Sequence, residues 1–391
     1  MSTHDAHVER WTFPFCPAPP SWALDWPAIE ERFAWMRALG GCPQDPTYHA
    51  EGDVLAHTHL VAEALVASEA WRALPALERS ILFAAALLHD VGKPACTVVE
   101  VGGAITSRGH ARRGAQLARQ LLWLGDNDAL TPAPFHAREA VVGLVRYHGL
   151  PLWVLDDADP QRAVIRASMV SRCDLLALVA DADVRGRRCA DLAQLLGRID
   201  LFRDLCQEND CLDRPYPFPS DHSRFVYFHR AQGAPTYHAY DDTRCEVLLM
   251  AGLPGSGKDH WIRAQRPDWP VVSLDALRAA LDVAPEEDQG TVIAAAKEAA
   301  RIYLRAGRSF VWNATNTTRA LRERLVDFFV SYGARVRIVY LELPFGELLR
   351  RNSTRPHPVP EAVIRRLAAR LDVPDLTEAH GVEWIIPSQA D

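Results

Sequence analysis

The sequence predicts a multidomain chain in which an all-α domain is followed by an α/β domain built on a parallel sheet. Three observations carry that expectation. From residue 26 to about 206 apolar residues recur at helical spacing, and strand-like runs are scarce. After residue 244 short β-rich runs, "EVLLMAG", "PVVSL", "SFVWNATN" and "RVRIVYLEL", are separated by helical stretches, the alternation of a parallel sheet. Between them residues 211–242 are rich in proline and aromatics and show no helical period, which suits a linker packed on a neighbour. The expected limits are therefore 1–210, a linker over 211–244, and 245–391.

In chain order, Ile29, Phe33 and Met36 follow helix spacing. Residues 77–90, "LERSILFAAALLHD", form an apolar helix closed by Gly92 and Pro94. Further helices are expected around residues 110–123, 135–148, 160–183 and 186–206. No internal repeat or low-complexity segment is present.

The composition excludes several function classes. Net charge is -7, so the chain is not coated in positive charge for gripping nucleic acid. Residues 246–391 hold 19 basic and 19 acidic side chains, which leaves the acidic excess in the first 245. Contact with a polynucleotide must then be local, through arginine clusters. There is no run of 18 apolar residues, so no membrane span is expected, and the opening "MSTHDAHVERW" lacks a secretory pattern. The reading is a cytoplasmic protein. The eight cysteines are scattered, Cys206 and Cys211 being the closest, and read as reduced packing residues. Only three lysines occur, Lys93, Lys258 and Lys297, and two of them sit in motifs.

Gly252 to Lys258, "GLPGSGK", fits G-x-x-x-x-G-K between an apolar strand and a helix, the context that a phosphate-binding loop requires. Gly252, Gly255, Ser256 and Gly257 form the loop, whose backbone N–H groups would approach the phosphates, and Lys258 would reach the transferred phosphate. Nucleotide binding, by ATP or another NTP with magnesium, follows. Asp259 stands where Ser or Thr is usual. The next strand runs into "SLDALR", which puts Asp275 and Arg278 at the carboxyl end of the sheet. Asp275 either accepts the proton of an attacking hydroxyl or starts a helix as its cap. Arg278 either holds an acceptor phosphate or is a solvated surface residue. Arg351 and Arg355, four apart, share a face while the chain stays helical, either as a solvated basic face or as a lid on the γ-phosphate.

D-x-x-R after the second strand, T-N after the third and the R-x-x-x-R lid resemble the 5′-hydroxyl polynucleotide kinases over roughly the last 145 residues. The resemblance implies Asp275 as general base, Arg278 as ligand of the acceptor-strand phosphate, and Arg351 and Arg355 as stabilisers of the transition state. One position departs from phosphate-loop enzymes: Asn313 ends the strand where an acidic residue usually holds the magnesium shell. Asp259 is read as the displaced carboxylate, bound to magnesium directly or through water.

In the N-terminal half His57 is followed by His89 and Asp90 in "LLHDVGK", mixed imidazole and carboxylate chemistry suited to Mn, Fe, Co, Ni or Zn. Together with His110 in "SRGHARR", His148 in "VRYHG" and Asp183 in "ADVRGR", the pattern resembles the HD phosphohydrolase superfamily, particularly the HD domain attached to tRNA CCA-adding enzymes. The match implies an HD-type helical domain in which His57, His89, Asp90 and Asp183 hold one metal, with His110 and His148 candidates for a second. Asp174 and Asp181 compete with Asp183, because sequence does not fix helix phase. A metal there would activate water for attack on phosphorus. Lys93 would offset charge on the scissile group and Arg187 would hold another oxygen. His49 is a further candidate that the resemblance favours more than spacing does.

An HD phosphohydrolase followed by a P-loop kinase is similar to the bacterial bifunctional RNA end-healing enzymes of that composition. The resemblance implies removal of 3′-phosphate or 2′,3′-cyclic phosphate ends and phosphorylation of 5′-hydroxyl ends. Expected partners are RNA or DNA ends, a nucleotide and an RNA ligase, with no membrane. The alternative from another class is a nucleotide-regulated HD hydrolase acting on a small nucleotide, which would not need Asp275 as a base.

Overall fold

The computed structural model describes residues 11–125, 130–230, 232–284, 287–355 and 357–386; residues 1–10, in the opening stretch read for a leader, lie outside them. The chain divides into two compact units, Met1–Pro217 and Phe218–Asp391.

The first unit is helical: α1 Trp26–Arg32, α2 Val54–Ala67, α3 Ala76–Leu88, α4 His110–Leu124, α5 Phe135–Tyr147, α6 Pro160–Ser168, α7 Cys173–Gly186 and α8 Leu192–Glu208. A hairpin of β1 Val98–Val99 and β2 Ile105–Thr106 precedes α4. Helix α3 is buried without a break from Ser80 to Leu88, the mark of a central helix. Helices α2, α5 and α7 pack against it. Each fully buried Leu or Phe there contributes about 1.5–3 kcal/mol of apolar transfer. Asp53 starts α2 by accepting the Ala56 N–H at 2.9 Å, which sets the register of His57 one turn on.

Three local expectations change. Phe33 has extended backbone and splits the first helix, yet Ile29, Phe33 and Met36 are all buried, because Phe33 turns onto Phe13 at 5.6 Å. The helix expected over 160–183 breaks before Cys173, where Arg172 is extended and its guanidinium bonds Asp174 and Glu78. Helix α8 starts at Leu192 rather than 186, and the extended Arg187 turns away from the end of α7. All eight cysteines are free thiols, and Cys42, Cys173, Cys206 and Cys211 are buried.

The second unit opens on α9 Asp221–His229, a helix inside the segment read as lacking helical period. Ser220 caps it, accepting the Ser223 N–H at 3.0 Å, and the nine residues are too few to show a period. There follow β3 Cys245–Ala251, α10 Lys258–Gln265, β4 Val271–Ser273, α11 Leu274–Ala280, α12 Gly290–Arg305, β5 Phe310–Asn313, α13 Arg319–Val330, β6 Ala334–Leu341, α14 Phe345–Ser353, α15 Glu361–Ala369 and β7 Gly381–Ile385. The five strands form one parallel sheet in the order β4-β5-β3-β6-β7. Leu249 of β3 pairs with Trp312 on one side and Ile338 on the other, both buried, as the interior of a sheet covered on both faces demands. Chain order reverses about β3, so its carboxyl end is a switch point.

Candidate active sites

In the first unit α2, α3, α4, α5 and α7 bring imidazoles and carboxylates to one buried centre. His57 Nε2 lies 3.0 Å from Asp183 Oδ1 and 4.0 Å from Asp90 Oδ2. His89 Nε2 lies 3.2 Å from Asp90 Oδ2, and Lys93 Nζ stands 2.7 Å from the same oxygen. On the other side of Asp90, His110 and His148 place Nε2 at 3.4 and 3.9 Å from Oδ1 and 3.3 Å from each other. Gly92 makes this approach possible: a Cβ there would stand 2.3 Å from the His110 carbonyl oxygen. Arg187 forks onto Asp183 at 2.7 and 3.1 Å. Asp174 and Asp181, the rivals of Asp183, bond Arg172 and Arg185 instead.

The donor set fits a divalent cation. His89, His110 and His148 each direct Nδ1 to the carbonyl three residues earlier, at 2.7, 2.8 and 2.9 Å. That bond leaves Nε2 available to a cation, the arrangement usual for a metal-binding imidazole. Two triads, His57–His89–Asp90 and Asp90–His110–His148, each hold their ligand atoms within 4.8 Å of one another. His89 Nε2 and Asp90 Oδ1 are buried without a hydrogen bond among the described residues, a costly arrangement that a cation relieves. Burial raises the pKa of Asp90, but Lys93 and His89 hold it well below the usual carboxylate range; Arg187 and His57 do the same for Asp183. Burial, with His89 beside it, lowers His148 to about 4, so it is neutral at pH 7. Burial works against protonation of His57, yet the Asp183 and Glu51 carboxylates raise it, so the centre attracts positive charge.

Sequence reasoning missed Glu51 and Gln44. The buried Glu51 Oε1 lies 2.7 Å from His49 Nδ1 and 2.9 Å from His57 Nδ1, and Oε2 accepts the Arg188 N–H at 2.8 Å. It stands behind the His57 imidazole, where a carboxylate orients a metal-binding histidine, and it also forms with His49 and His57 a third group whose ligand atoms lie within 4.8 Å of one another. Gln44 Oε1 accepts from Lys93 at 2.6 Å and aims the ammonium. Both lie in non-helical chain before α2, where spacing carries no positional signal. His49 stands behind Glu51, and with Lys93, His110 and Arg187 it lines a cavity of about 560 Å³ over the cluster.

In the second unit the loop after β3 reaches the switch point. Gly252 has φ 137°, and a Cβ on it would stand 2.4 Å from the Leu341 carbonyl oxygen, so only glycine fits this turn. Gly255 and Gly257 complete the loop, and the buried Ser256 places Oγ 3.4 Å from Lys258 Nζ. Nζ also donates to the Gly252 and Leu253 carbonyls at 2.9 Å each. Burial lowers the pKa of Lys258 to about 8, with the Asp259 and Asp275 carboxylates acting to raise it and Arg355 to lower it. Asp259 Oδ1 accepts from Asn313 Nδ2 at 2.6 Å, so the unusual carboxylate and the unusual amide are neighbours. The T-N pair is structural: the Thr315 carbonyl accepts the Gly252 N–H at 2.9 Å and Asn316 Nδ2 donates to the Met250 carbonyl at 2.6 Å.

Residues 56–185 match the HD domain family, and residues 247–374 match the AAA domain family. The chain joins an HD domain to a P-loop kinase-like domain. Among solved structures the kinase-like domain is similar to a putative kinase from Chloroflexus aurantiacus J-10-fl, at 18% identity over 38% of this chain and 91% of that one, TM-score 0.31. It is also similar to a sugar kinase from Janibacter sp. HTCC2649 (19%, 37% and 84%, TM-score 0.29) and a gluconokinase from Sinorhizobium meliloti 1021 (19%, 37% and 84%, TM-score 0.28). No curated protein matches the chain. No helix among the described residues is long and apolar enough to cross a membrane.

Two readings of the kinase-like domain change in detail. Asp275 does not cap α11; Ser273 Oγ accepts the Ala276 N–H at 3.3 Å, and Asp275, 81% exposed, pairs with Arg278 at 2.5 Å. Arg278 is also held by Gln289 at 2.9 Å. Arg351 and Arg355 do not share a helical face, because α14 ends at Ser353. There Asn352 bonds both backbone groups of Val359, at 2.7 and 3.1 Å, and folds the chain back before Pro360 begins α15. Arg351 stands beside the loop, 4.0 Å from where a Gly257 Cβ would lie.

Proposed function

We propose that this chain heals nucleic-acid ends: the kinase-like domain phosphorylates a 5′-hydroxyl with ATP, and the HD domain removes a 3′-phosphate or 2′,3′-cyclic phosphate. The observation that carries the polynucleotide part is the Asp275–Arg278 pair. Its carboxylate is exposed just past the carboxyl end of β4, in the same parallel sheet that carries the phosphate loop, and does no capping work. Asp275 takes the proton as the 5′-oxygen attacks the γ-phosphorus, the bond to the β-phosphate oxygen breaks, and ADP leaves. Arg278 holds the acceptor's neighbouring phosphate, and Lys258, Arg351 and Arg355 stabilise charge on the transferred group. Magnesium beside Asp259 neutralises the nucleotide phosphates when bound.

In the HD domain, a divalent ion (Mn, Co, Ni, Fe or Zn) held by His57, His89, Asp90 and Asp183, with His110 and His148 available to a second, supplies Lewis acidity and an activated water. Lys93, aimed by Gln44, neutralises the phosphate oxygens, and Arg187 orients Asp183 and faces the same cavity. The test is an RNA oligomer with a 5′-hydroxyl and a 3′-phosphate, incubated with ATP and divalent ions, both ends being analysed. Conversion of both ends is expected. An unchanged 5′ end, with ATP altering only hydrolysis of small nucleotides, would replace this reading with that of a nucleotide-regulated hydrolase.

A further inference from the structure

The cavity over the HD cluster carries features that removal of a bare phosphate does not need. Trp153 lines it and remains 50% exposed. One ring face is backed by the Arg198 guanidinium, 5.5 Å from the ring centroid. That guanidinium is pinned by Asp156 at 2.6 Å and the Leu152 carbonyl at 2.9 Å, so the indole is held on one side, and no other ring or cation stacks on it among the described residues. Arg108 lines the same cavity, and exposed Arg112 and Arg113 follow on the first turn of α4. These three make no side-chain hydrogen bond or ion pair among the described residues, although most arginines of this unit are paired.

We infer that the cavity receives the terminal nucleotide of a polynucleotide, its base stacked on the open face of Trp153 and the strand's preceding phosphates running along Arg108, Arg112 and Arg113. A fixed aromatic face accepts any base, because every base presents a π-face, and unpaired guanidiniums track a phosphate backbone. This deepens the end-healing reading and rests on it. It also places the positive charge locally on a chain whose net charge is acidic.

The test uses the full chain with manganese and two 3′-phosphorylated oligonucleotides that differ only in whether the terminal residue carries a base. In wild type kcat/KM favours the base-bearing end. Trp153→Ala should reduce that preference by about tenfold or more, through KM, and Trp153→Phe should keep most of it. Equal loss on both substrates would mean a structural role and overturn the stacking assignment; if Trp153→Ala fails to fold, Trp153→Leu against Trp153→Phe gives the same comparison. Replacing Arg108, Arg112 and Arg113 by Ala should flatten the salt dependence by about 0.7 of a unit of log–log slope for each phosphate of the single strand no longer neutralised. An unchanged slope overturns the track. If wild type releases phosphate from neither oligonucleotide, the end-healing reading falls by itself. Stacking is then read on a nucleoside monophosphate against ribose phosphate, and a ratio near one that Trp153→Ala does not change overturns it too.

Discussion

At the residue scale, Asp259 and Asn313 form a pair in which one has the charge that the other position normally holds. The 2.6 Å bond between them holds the carboxylate without neutralising it, since an amide carries no charge. Asp259→Ala is therefore expected to raise the magnesium requirement of phosphorylation, and Asp259→Ala/Asn313→Asp to restore it by returning the charge to the strand end. Magnesium titrations of kinase rate decide this; full activity of Asp259→Ala at low magnesium would make the residue a helix-start acid favoured by dipole alone. Glu51 invites the parallel test. Glu51→Gln keeps the shape but withdraws the charge behind His57, and should weaken manganese binding about 10- to 100-fold by calorimetry. Unchanged affinity would reduce Glu51 to a loop brace.

At the scale of elements, α9 and the loop before β7 meet over the first residues of β6. His380 is buried there, stacked on Phe225 at 3.8 Å, and its Nδ1 accepts the Val336 N–H at 3.1 Å. Burial, aided by Arg335 and His222, lowers its pKa from the ordinary 6.5 to about 3. The folded imidazole thus stays neutral where the unfolded one takes a proton. The stability it supports is complete above pH 6.5 and is lost as pH falls toward 3, at up to about 1.4 kcal/mol per pH unit. His380→Asn, which keeps an acceptor for Val336, should melt with a weaker acid dependence than wild type. Parallel pH profiles would refute the assignment. The same kind of local geometry places the second arginine of the R-x-x-x-R pair: α14 ends at Ser353, where Asn352 bonds Val359, so Arg355 lies in a turn rather than on the helix.

For the molecule as a whole, the two candidate sites share no residue and call for different ions, a hard cation on nucleotide phosphates and a softer metal among imidazoles. Asp90→Ala is expected to abolish phosphate release from 3′ ends while sparing 5′ phosphorylation, and Lys258→Ala to do the reverse. Both reactions should be measured on each variant, with thermal melts to confirm folding. Loss of both activities in a folded variant would show energetic coupling between the sites and favour regulation of one by nucleotide on the other.

The sequence by itself determined the two fold textures and the phosphate loop, because periodicity and short motifs are local consequences of backbone geometry; the wider histidine and aspartate set was legible only through a family resemblance. Gly252 and Lys258 are legible from one short stretch of chain, as are His89, Asp90 and Lys93 from a single helix end. Tertiary structure alone decided what depends on chains meeting. Asp183 prevails over Asp174 and Asp181 because the break before Cys173 sets the phase of α7, and no period records where a helix is interrupted. Glu51 and Gln44 join the centre from irregular backbone, and Ser273 displaces Asp275 as a cap through one hydroxyl's reach. Phe33, Arg187 and Arg355 lie where helices stop. Those stops are fixed by side chains distant in sequence or by folded-back loops, through packing and hydrogen bonds that local pattern does not encode.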